Sequence, residues 1–429
     1  MSEAMTRPEL GDAIDAAVSA LRPDIIRALQ ELVRIPSQTG QEGEAQAAVA
    51  RMMADDGLEV DVWEPAPEVL RPYAEHVTLG DGFAGRPNVV GRWRGTRSGR
   101  SLILNGHIDT VEVGDRAAWS VDPLGGMIAD GRLFGRGACD MKGGIVANLV
   151  ALRAVRLAGF RPTGDIVIES TISEEDGGAG ALAAVLRGYV ADGALISEPT
   201  ELAIVTAQGG SLMFRLVVPG LSAHACVRDE GVSAIEKFAY LHRGLLDFEA
   251  RRNASIDHPL YEGMRNKIPI NIGVIHGGSW PSSVPECVVA EGRAGLVPGE
   301  DLDSFKVEFA REIALLAEAD PWLRENPPRV EWLDGQFAPA GTPTDAPLVT
   351  TLVDAVERVT SAPARVAAVT YGADMRHFVH AGGMPCVMFG AGDVRLAHAP
   401  DESIDLSDLL AAVRVIASFI AAWCGVEPA

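Results

Sequence analysis

A histidine and an aspartate, separated by one residue, follow a short apolar run and could hold a metal ion. The run is Ser101-Leu102-Ile103-Leu104, and the pair is His107 and Asp109. Residues i and i+2 of an extended chain face the same side. The Asp109 carboxylate can therefore accept the free ring N–H of His107 and leave the other nitrogen for a cation. Taken alone, the pair also fits a histidine that is only hydrogen-bonded at the end of a strand.

Acidic residues recur near the ends of other apolar runs, where an open α/β sheet places its ligand site. They are Asp140, Glu174, Glu175 and Glu198, and a second histidine, His398, comes far downstream. Two imidazoles and several carboxylates are nitrogen and oxygen ligands that suit zinc, cobalt or manganese. The five cysteines have no C-x-x-C spacing, and their odd number argues against a disulfide framework. Cys139 lacks an evident base, so we expect a packed small residue there.

Five segments, in their order along the chain, resemble the motifs of the M20 family of metallopeptidases and deacylases. They are Gly-His-x-Asp-x-Val, Arg-Gly-x-x-Asp-Met-Lys-Gly-Gly, the Glu-Glu pair, Glu-Pro-Thr and the late Ala-His-Ala-Pro-Asp-Glu. The family includes acetylornithine deacetylase, succinyl-diaminopimelate desuccinylase, aminoacylase and glutamate carboxypeptidase. The resemblance extends from about residue 29 to residue 419.

The resemblance implies a site for two divalent metal ions, with zinc expected and cobalt or manganese as alternatives. Asp140 bridges the two ions in this scheme. His107 and Glu198 complete one coordination sphere, and Glu175 and His398 complete the other. The resemblance also implies a cis peptide bond after Asp140.

Three residues are expected to support catalysis: Glu174, Asp109 and His224. A two-metal site lowers the pKa of a bound water and polarises the carbonyl of an amide, and Glu174 then takes the proton and hands it to the nitrogen. Adjacent residues of a strand point to opposite faces. Glu174 and Glu175 can both face the site only if the chain bends, and Asp176-Gly177-Gly178 predicts that turn. Without its companion motifs, the Glu-Glu pair would fit a solvated loop.

Composition is that of an ordinary globular protein, with 47% hydrophobic and 22% charged residues. No stretch approaches about 18 uninterrupted apolar residues, and the first 22 residues lack the order of a signal peptide. We therefore expect a cytoplasmic protein. The formal charge of −22 repels phosphate backbones and anionic lipids, so neither nucleic acid nor a membrane is an expected partner.

The elements that position these residues predict an α/β fold with an inserted α+β domain. Residues 1–208 and 337–429 are expected to form a Zn-exopeptidase-like catalytic domain, with a central mixed sheet flanked by helices. Its predicted helices include 24–35, 42–56, 145–157 and 409–423. Residues 209–336 follow the order β-α-β-β-α-β, which is the ferredoxin-like unit. The predicted elements are strand 211–218, helix 233–251, strands 268–275 and 287–296, helix 302–317 and strand 329–333.

In the M20 family this insert is a lid and dimerisation domain, so the resemblance implies a homodimer. His224 lies in a segment that resembles the family's Gly-x-x-x-His motif. The histidine of that motif helps to hold the carbonyl oxygen as it becomes an oxyanion, in dimeric members at the active site of the other subunit. Without the resemblance, His224 would be interpreted as an ordinary loop histidine.

Substrate choice is less clearly encoded. Arg293 and Arg376 occur where family members place arginines that bind a substrate carboxylate, for which the planar guanidinium is suited. Gln208 and its neighbours lack the arginine that the desuccinylases carry, and the loop 280–285 lacks a common asparagine.

The sequence therefore predicts an amidohydrolase that removes an N-acyl group from an amino acid or a related small amine. A metallo-dipeptidase or carboxypeptidase with the same site is the alternative. A metal-binding homologue without turnover is disfavoured, because it would not need Glu174.

Overall fold

The computed structural model describes residues 7–96 and 99–429. Within them the helices, in chain order, are α1 (Arg7–Arg34), α2 (Gly43–Asp55), α3 (Pro67–Leu70), α4 (Gly143–Leu157), α5 (Ala179–Arg187), α6 (Ala234–Ser255), α7 (Leu302–Ala319), α8 (Pro321–Glu325), α9 (Pro347–Thr360) and α10 (Leu406–Cys424).

The strands of the described chain are β1 (Glu59–Trp63), β2 (Asn88–Trp93), β3 (Leu102–His107), β4 (Met127–Ala129), β5 (Arg132–Phe134), β6 (Phe160–Pro162), β7 (Ile166–Thr171), β8 (Ala194–Ile196), β9 (Ile204–Gln208), β10 (Gly210–Pro219), β11 (Ile270–Gly277), β12 (Cys287–Leu296), β13 (Arg329–Trp332), β14 (Ala340–Gly341), β15 (Val366–Val369), β16 (Cys386–Met388), β17 (Ser403–Asp405) and β18 (Val426–Pro428).

The chain divides into two units. Unit 1 extends to Ala207 and includes Gly341–Ala367 and Ala373–Ala429, and unit 2 comprises Gln208–Ala340 and Ala368–Gly372. The predicted insert, 209–336, thus lies inside unit 2, which also contains a short segment from later in the chain. That segment has no local pattern that sets it apart from the residues around it.

Unit 1 contains a mixed sheet whose central part runs β1-β2-β7-β3-β8-β16-β9. β3 is parallel to β7 and β8, whereas β1, β2 and β9 pair antiparallel with their neighbours. The apolar residues of β3 and β7 are fully buried. Parallel strands end at the same edge of the sheet, so His107 at the end of β3 lies near the turn that follows β7.

Helices α4 and α10 pack against β3, and α1 packs against both of them. α10 is long and apolar enough to cross a membrane by length and composition, but 67% of it is buried within the structure. Its apolar side chains, among them Ile416 and Phe419, belong to the same core as Leu104 and Ile168 of the sheet. α10 is therefore explained as a core helix.

The predicted start of the first helix was wrong. The predicted helix 24–35 starts just after Pro23, whereas α1 begins at Arg7 and continues through that proline. Proline removes one helical hydrogen bond and disfavours a helix interior. Apolar residues on both sides of it, including Val18 and Leu29, are nevertheless buried in the core. Tertiary packing of this face stabilises the helix across the proline.

Unit 2 has the predicted β-α-β-β-α-β order. Its antiparallel sheet runs β11-β12-β10-β13, the strand order of a ferredoxin-like unit. Helices α6 and α7 contribute Leu241 and Phe309 to a separate core with Phe214 of β10. The rings of Phe214 and Phe309 lie 4.7 Å apart between centroids. β11 is an edge strand, and Val274 and Ile275 on it are exposed.

Candidate metal centre and active site

His107 is the last residue of β3, and its side chain is only 2% exposed. Its Nδ1 lies 2.9 Å from the carbonyl oxygen of Asp109 and 3.6 Å from the Asp109 carboxylate. The expectation that the carboxylate accepts the ring N–H was therefore wrong in detail, because the carbonyl is the nearer acceptor. A protonated Nδ1 leaves Nε2 bare. Nε2 lies 3.1 Å from Asp140 Oδ1 and 4.0 Å from Glu198 Oε1.

Asp140 presents its two carboxylate oxygens to two different histidines. Oδ1 faces His107, and Oδ2 lies 3.4 Å from Nε2 of His398. The residue lies in the irregular turn 138–142, after Gly137, which has a left-handed φ of 80°. The peptide bond between Asp140 and Met141 is cis, as the resemblance implied.

His398 and Glu175 form the second half of the site. His398 Nε2 lies 3.1 Å from Glu175 Oε1, and the histidine side chain is about half exposed. His398 has a φ of 61°. Non-glycine residues in this left-handed region are uncommon and cluster at functional sites, where the surrounding structure holds them.

The turn after β7 brings Glu174 and Glu175 to the same side. Ser173 has a φ of 60°, and Gly177 and Gly178 have φ values of 130° and 72°. The bend thus starts at Ser173, earlier than the predicted Asp176-Gly177-Gly178 turn. The Asp109 carboxylate fixes it, accepting the backbone N–H of Glu174 at 3.1 Å and that of Glu175 at 3.2 Å.

Several carboxylates of the site are buried close together. Burial raises the pKa of Glu198 to about 8 and that of Asp109 to about 7, and it raises the pKa of Glu174 well above its usual range. Burial opposes the charge of His107, but the hydrogen bond that its ring donates to Asp140 and the charges of nearby carboxylates raise its pKa. Crowded acids with few counter-charges are stabilised by cations.

The residues fit a pair of divalent ions. His107, Asp140 and Glu198 form one group of donors, and Asp140, Glu175 and His398 form another. The donor atoms of each group lie within 4.8 Å of one another. Nitrogen and carboxylate oxygen donors suit zinc and related ions. The five ligands that the resemblance implied are therefore brought together in unit 1.

Arg376 does not take the position expected of a residue that binds a substrate carboxylate. Its side chain is buried at 2% exposure. Nη1 donates to the carbonyl of Ala373 at 2.8 Å, and Nη2 donates to the carbonyl of Gly177 at 2.7 Å. This geometry supports a different role, in which Arg376 holds the turn that follows the two glutamates.

Arg293 and His224 belong to unit 2. Arg293 lies on β12, and burial lowers the pKa of its guanidinium. Its Nε is buried without a hydrogen-bond partner among the described residues. His224 is exposed in a loop, where Nδ1 accepts the backbone N–H of Cys226 at 3.2 Å. The ligand groups, by contrast, lie entirely in unit 1.

Several buried charged residues around the turn of Asp140 were not predicted from the sequence. Lys142 donates its ammonium hydrogens to the carbonyls of Leu32 and Ile35, both at 2.9 Å, at the end of α1. Arg136 and Glu402 form a buried ion pair at 2.6 Å. All three charged residues lie within quoted motifs, but burial cannot be inferred from their spacing. Cys139 is buried, as expected of a packed residue.

The fold and this donor set define a metal-dependent hydrolase of amide bonds. The sequence profile of peptidase family M20/M25/M40 matches residues 103–422, and the chain belongs to this family. A similar protein is the N-formyl-4-amino-5-aminomethyl-2-methylpyrimidine deformylase of Bacillus subtilis (strain 168), 30% identical over 409 residues, which are 91% of each chain.

Two further relatives cover nearly the whole chain. The acetylornithine deacetylase of Photorhabdus laumondii is 28% identical over 418 residues, which span 94% of this chain and 98% of the relative. Among solved structures, the dipeptidase Dug1p of Saccharomyces cerevisiae has a TM-score of 0.73 at 13% identity, with 99% of this chain and 100% of that chain covered. The structural likeness confirms the M20-type fold.

Proposed function

We propose that this protein is a dinuclear-metal amidohydrolase that removes an N-acyl group from an amino acid or a related small amine. The proposal rests on Asp140, whose Oδ1 lies beside His107 and whose Oδ2 lies beside His398. A carboxylate shared in this way is suited to bridge two ions. The names of the deformylase and deacetylase relatives support an acyl group as the part removed.

The metal scheme assigns one ion to each donor group. His107, Asp140 and Glu198 would hold one ion, and Asp140, Glu175 and His398 the other. We propose zinc, with cobalt and manganese as alternatives. Bound at these residues, two divalent ions would supply the Lewis acidity that activates water and polarises an amide carbonyl.

Glu174 is the proposed general base. It is buried in the site and is not a member of either donor group. Its carboxylate takes a proton from the attacking water and then donates it to the leaving nitrogen. The raised pKa that burial gives it favours this return of the proton. Asp109 holds the backbone of Glu174 while it does so.

Two residues of unit 2 are proposed to serve the substrate. His224 would hydrogen-bond the carbonyl oxygen as negative charge develops there. Arg293 is the remaining candidate for a substrate carboxylate, because Arg376 is engaged with backbone carbonyls. The buried Nε of Arg293, without a partner among the described residues, supports this assignment.

A metallo-dipeptidase or carboxypeptidase is the second candidate. It is favoured by the likeness of the fold to a dipeptidase. Both candidates cleave an amide, and the same ligands serve both. We further propose that the protein acts in the cytoplasm on small molecules.

A substrate panel tests the proposal. Metal-loaded protein is assayed for amine release from N-formyl, N-acetyl and N-succinyl amino acids, from N-formylated aminomethylpyrimidine and from dipeptides. Glu174→Gln serves as the matched inactive control. Hydrolysis of an N-acyl substrate at a higher kcat/KM than any dipeptide supports the proposal. The reverse order supports the peptidase, and no hydrolysis of any amide contradicts both.

A further inference from the structure

Glu402 makes contacts that the proposed chemistry does not use. Its carboxylate is 1% exposed and accepts from three donors. Oε2 lies 2.6 Å from Nη1 of Arg136, which is itself 3% exposed. Oε1 accepts the backbone N–H of Cys139 at 3.0 Å and that of Asp140 at 3.1 Å. One buried carboxylate therefore holds the backbone of the residue that both donor groups share.

The same residue fixes the segment that carries His398, four positions earlier. The backbone carbonyl of Glu402 accepts the N–H of Gly135 at 2.9 Å. The strand that follows it, β17, pairs antiparallel with β5, just before Gly135. His398 and Asp401 both have a left-handed φ. A loop with two such residues needs a firm attachment, and Glu402 is where it joins the turn of Asp140.

These contacts link two ligands that come from distant parts of the chain. Asp140 and His398 belong to the same donor group, with Glu175. Loss of these contacts would disturb both ligands, whereas the group of His107 and Glu198 would be affected through Asp140 alone. Groups that orient metal ligands typically contribute about 10–100-fold to metal affinity.

We propose that Glu402 is a positioning residue that sets the distance between Asp140 and His398, and that Arg136 orients it. The inference rests on the proposed two-metal function. It predicts that loss of Glu402 weakens the ion held by Asp140, Glu175 and His398 more than the ion held by His107, Asp140 and Glu198.

Glu402→Gln tests the inference, because an amide group would place its N–H donors against Arg136 or against the two backbone N–H groups. Glu300→Gln is the matched control in unit 2. Glu300 accepts from buried Arg252 at 2.5 Å and from the backbone N–H of Val297 at 2.8 Å.

Chelator-treated proteins are titrated with Co²⁺, and binding is followed by calorimetry and by the visible absorption of the bound ion.

The expected result is that wild type and Glu300→Gln bind two Co²⁺ ions alike. In Glu402→Gln one of the two binding steps should be weakened by about 10–100-fold, with an altered Co²⁺ spectrum, and the other step should change far less. Two steps identical to wild type would overturn the inference and leave the two-metal function intact. Wild type that binds no Co²⁺ would overturn both.

Arg136→Lys keeps the test decisive if Glu402→Gln does not fold. Lysine retains the charge but lacks the planar fork of arginine. It should reduce the same binding step, and unchanged Co²⁺ affinities in a folded Arg136→Lys protein would overturn the inference.

Discussion

At the scale of single residues, Asp109 connects the strand of His107 to the turn of the two glutamates. Its backbone carbonyl accepts a hydrogen bond from the ring of His107. Its carboxylate accepts hydrogen bonds from the backbone N–H groups of Glu174 and Glu175 and, at 3.0 Å, from the hydroxyl of Thr39. The carboxylate is fully buried, so water cannot hydrate it and these protein donors supply its hydrogen bonds instead. Asp109 thus supports the site without belonging to either donor group.

Asp109→Asn should lower both stability and activity. Asparagine replaces one carboxylate oxygen by an NH2 group, which cannot accept a hydrogen bond. The donors that this oxygen bound are then left unsatisfied, and an unsatisfied buried donor costs about 1–3 kcal/mol. We expect the free energy of unfolding in urea to fall by that amount and kcat to fall by about 10–100-fold. Asp301→Asn is the control, because Asp301 caps α7 by accepting the N–H of Ser304 at 2.8 Å and asparagine caps equally well. Equal stability of both variants would contradict this role.

Glu174 and Glu175 are neighbours with different proposed roles, so replacement of each by glutamine should have different effects. Glu174→Gln should keep both metal ions and lose about 10²–10⁴-fold in kcat, because a carboxamide cannot accept the proton. Glu175→Gln should instead lose metal affinity. Metal content by atomic absorption and kcat are measured on both. A Glu174→Gln protein with a nearly wild-type rate would show that the base is another residue.

The resemblance to the M20 family predicted the donor residues of the site, and burial accounts for what was missed. The five donors that the structure brings together carry their own motifs, so their proximity could be expected. Arg376 was expected to face substrate, but the fold buries it against the turn of Gly177. Glu402 lies in a quoted motif, yet its partners come from residues 136–140, more than 260 positions away. Contacts between residues so far apart in the chain are set by the fold, and the local sequence does not indicate them.

At the scale of elements, the turn between β7 and α5 has the tightest backbone requirement in the site. Gly178 has a φ of 72°, and a Cβ there would lie 2.1 Å from Asp374 Oδ1 and 2.6 Å from His377 Nε2. Both side chains are buried, so neither can move away readily. The turn therefore needs glycine for space as well as for conformation.

Gly178→Ala should destabilise the protein more than Gly188→Ala, measured by thermal unfolding. Gly188 also has a left-handed φ, 102°, but a Cβ there meets nothing within 4 Å. The control therefore isolates the backbone cost, about 1–2 kcal/mol, and the overpacking at Gly178 should add about 1–3 kcal/mol. Similar melting temperatures for the two variants would contradict the close packing of this turn.

Strands and helices with a clear period were predicted to within a few residues. The strand predicted at 287–296 is β12, and the helix predicted at 302–317 is α7 with two further residues. The first helix was predicted too short, because a proline such as Pro23 usually stands at the start of a helix and not inside it. The core that holds the helix together on both sides of Pro23 comes from α4 and α10, which no local window contains.

At the scale of the whole molecule, we propose a homodimer formed through unit 2. β11 is the edge strand of the unit 2 sheet, and exposed apolar residues lie along it. An exposed edge of this kind favours symmetric pairing with a second copy. His224, exposed in the loop after β10, would then serve the metal centre of the partner subunit.

Mixing two inactive variants tests this arrangement. Glu174→Gln and His224→Ala subunits, each inactive alone, should regain part of the wild-type rate when they exchange, because a mixed dimer contains one site with both residues. Sedimentation confirms the dimer, and mass labelling confirms exchange. A fully active monomer, or no recovery despite exchange, would exclude the shared site.

The proposed hydrolase needs two divalent ions, and a single titration measures that requirement. Metal-free protein receives Zn²⁺ in steps, while bound metal and hydrolysis of its best N-acyl substrate are measured in the same samples. We predict that two ions bind per chain at saturation, that hydrolysis rises from a negligible rate as they bind, and that Glu174→Gln binds the same two ions without hydrolysis. Binding of at most one ion per chain, or undiminished hydrolysis by metal-free protein, would contradict the claim.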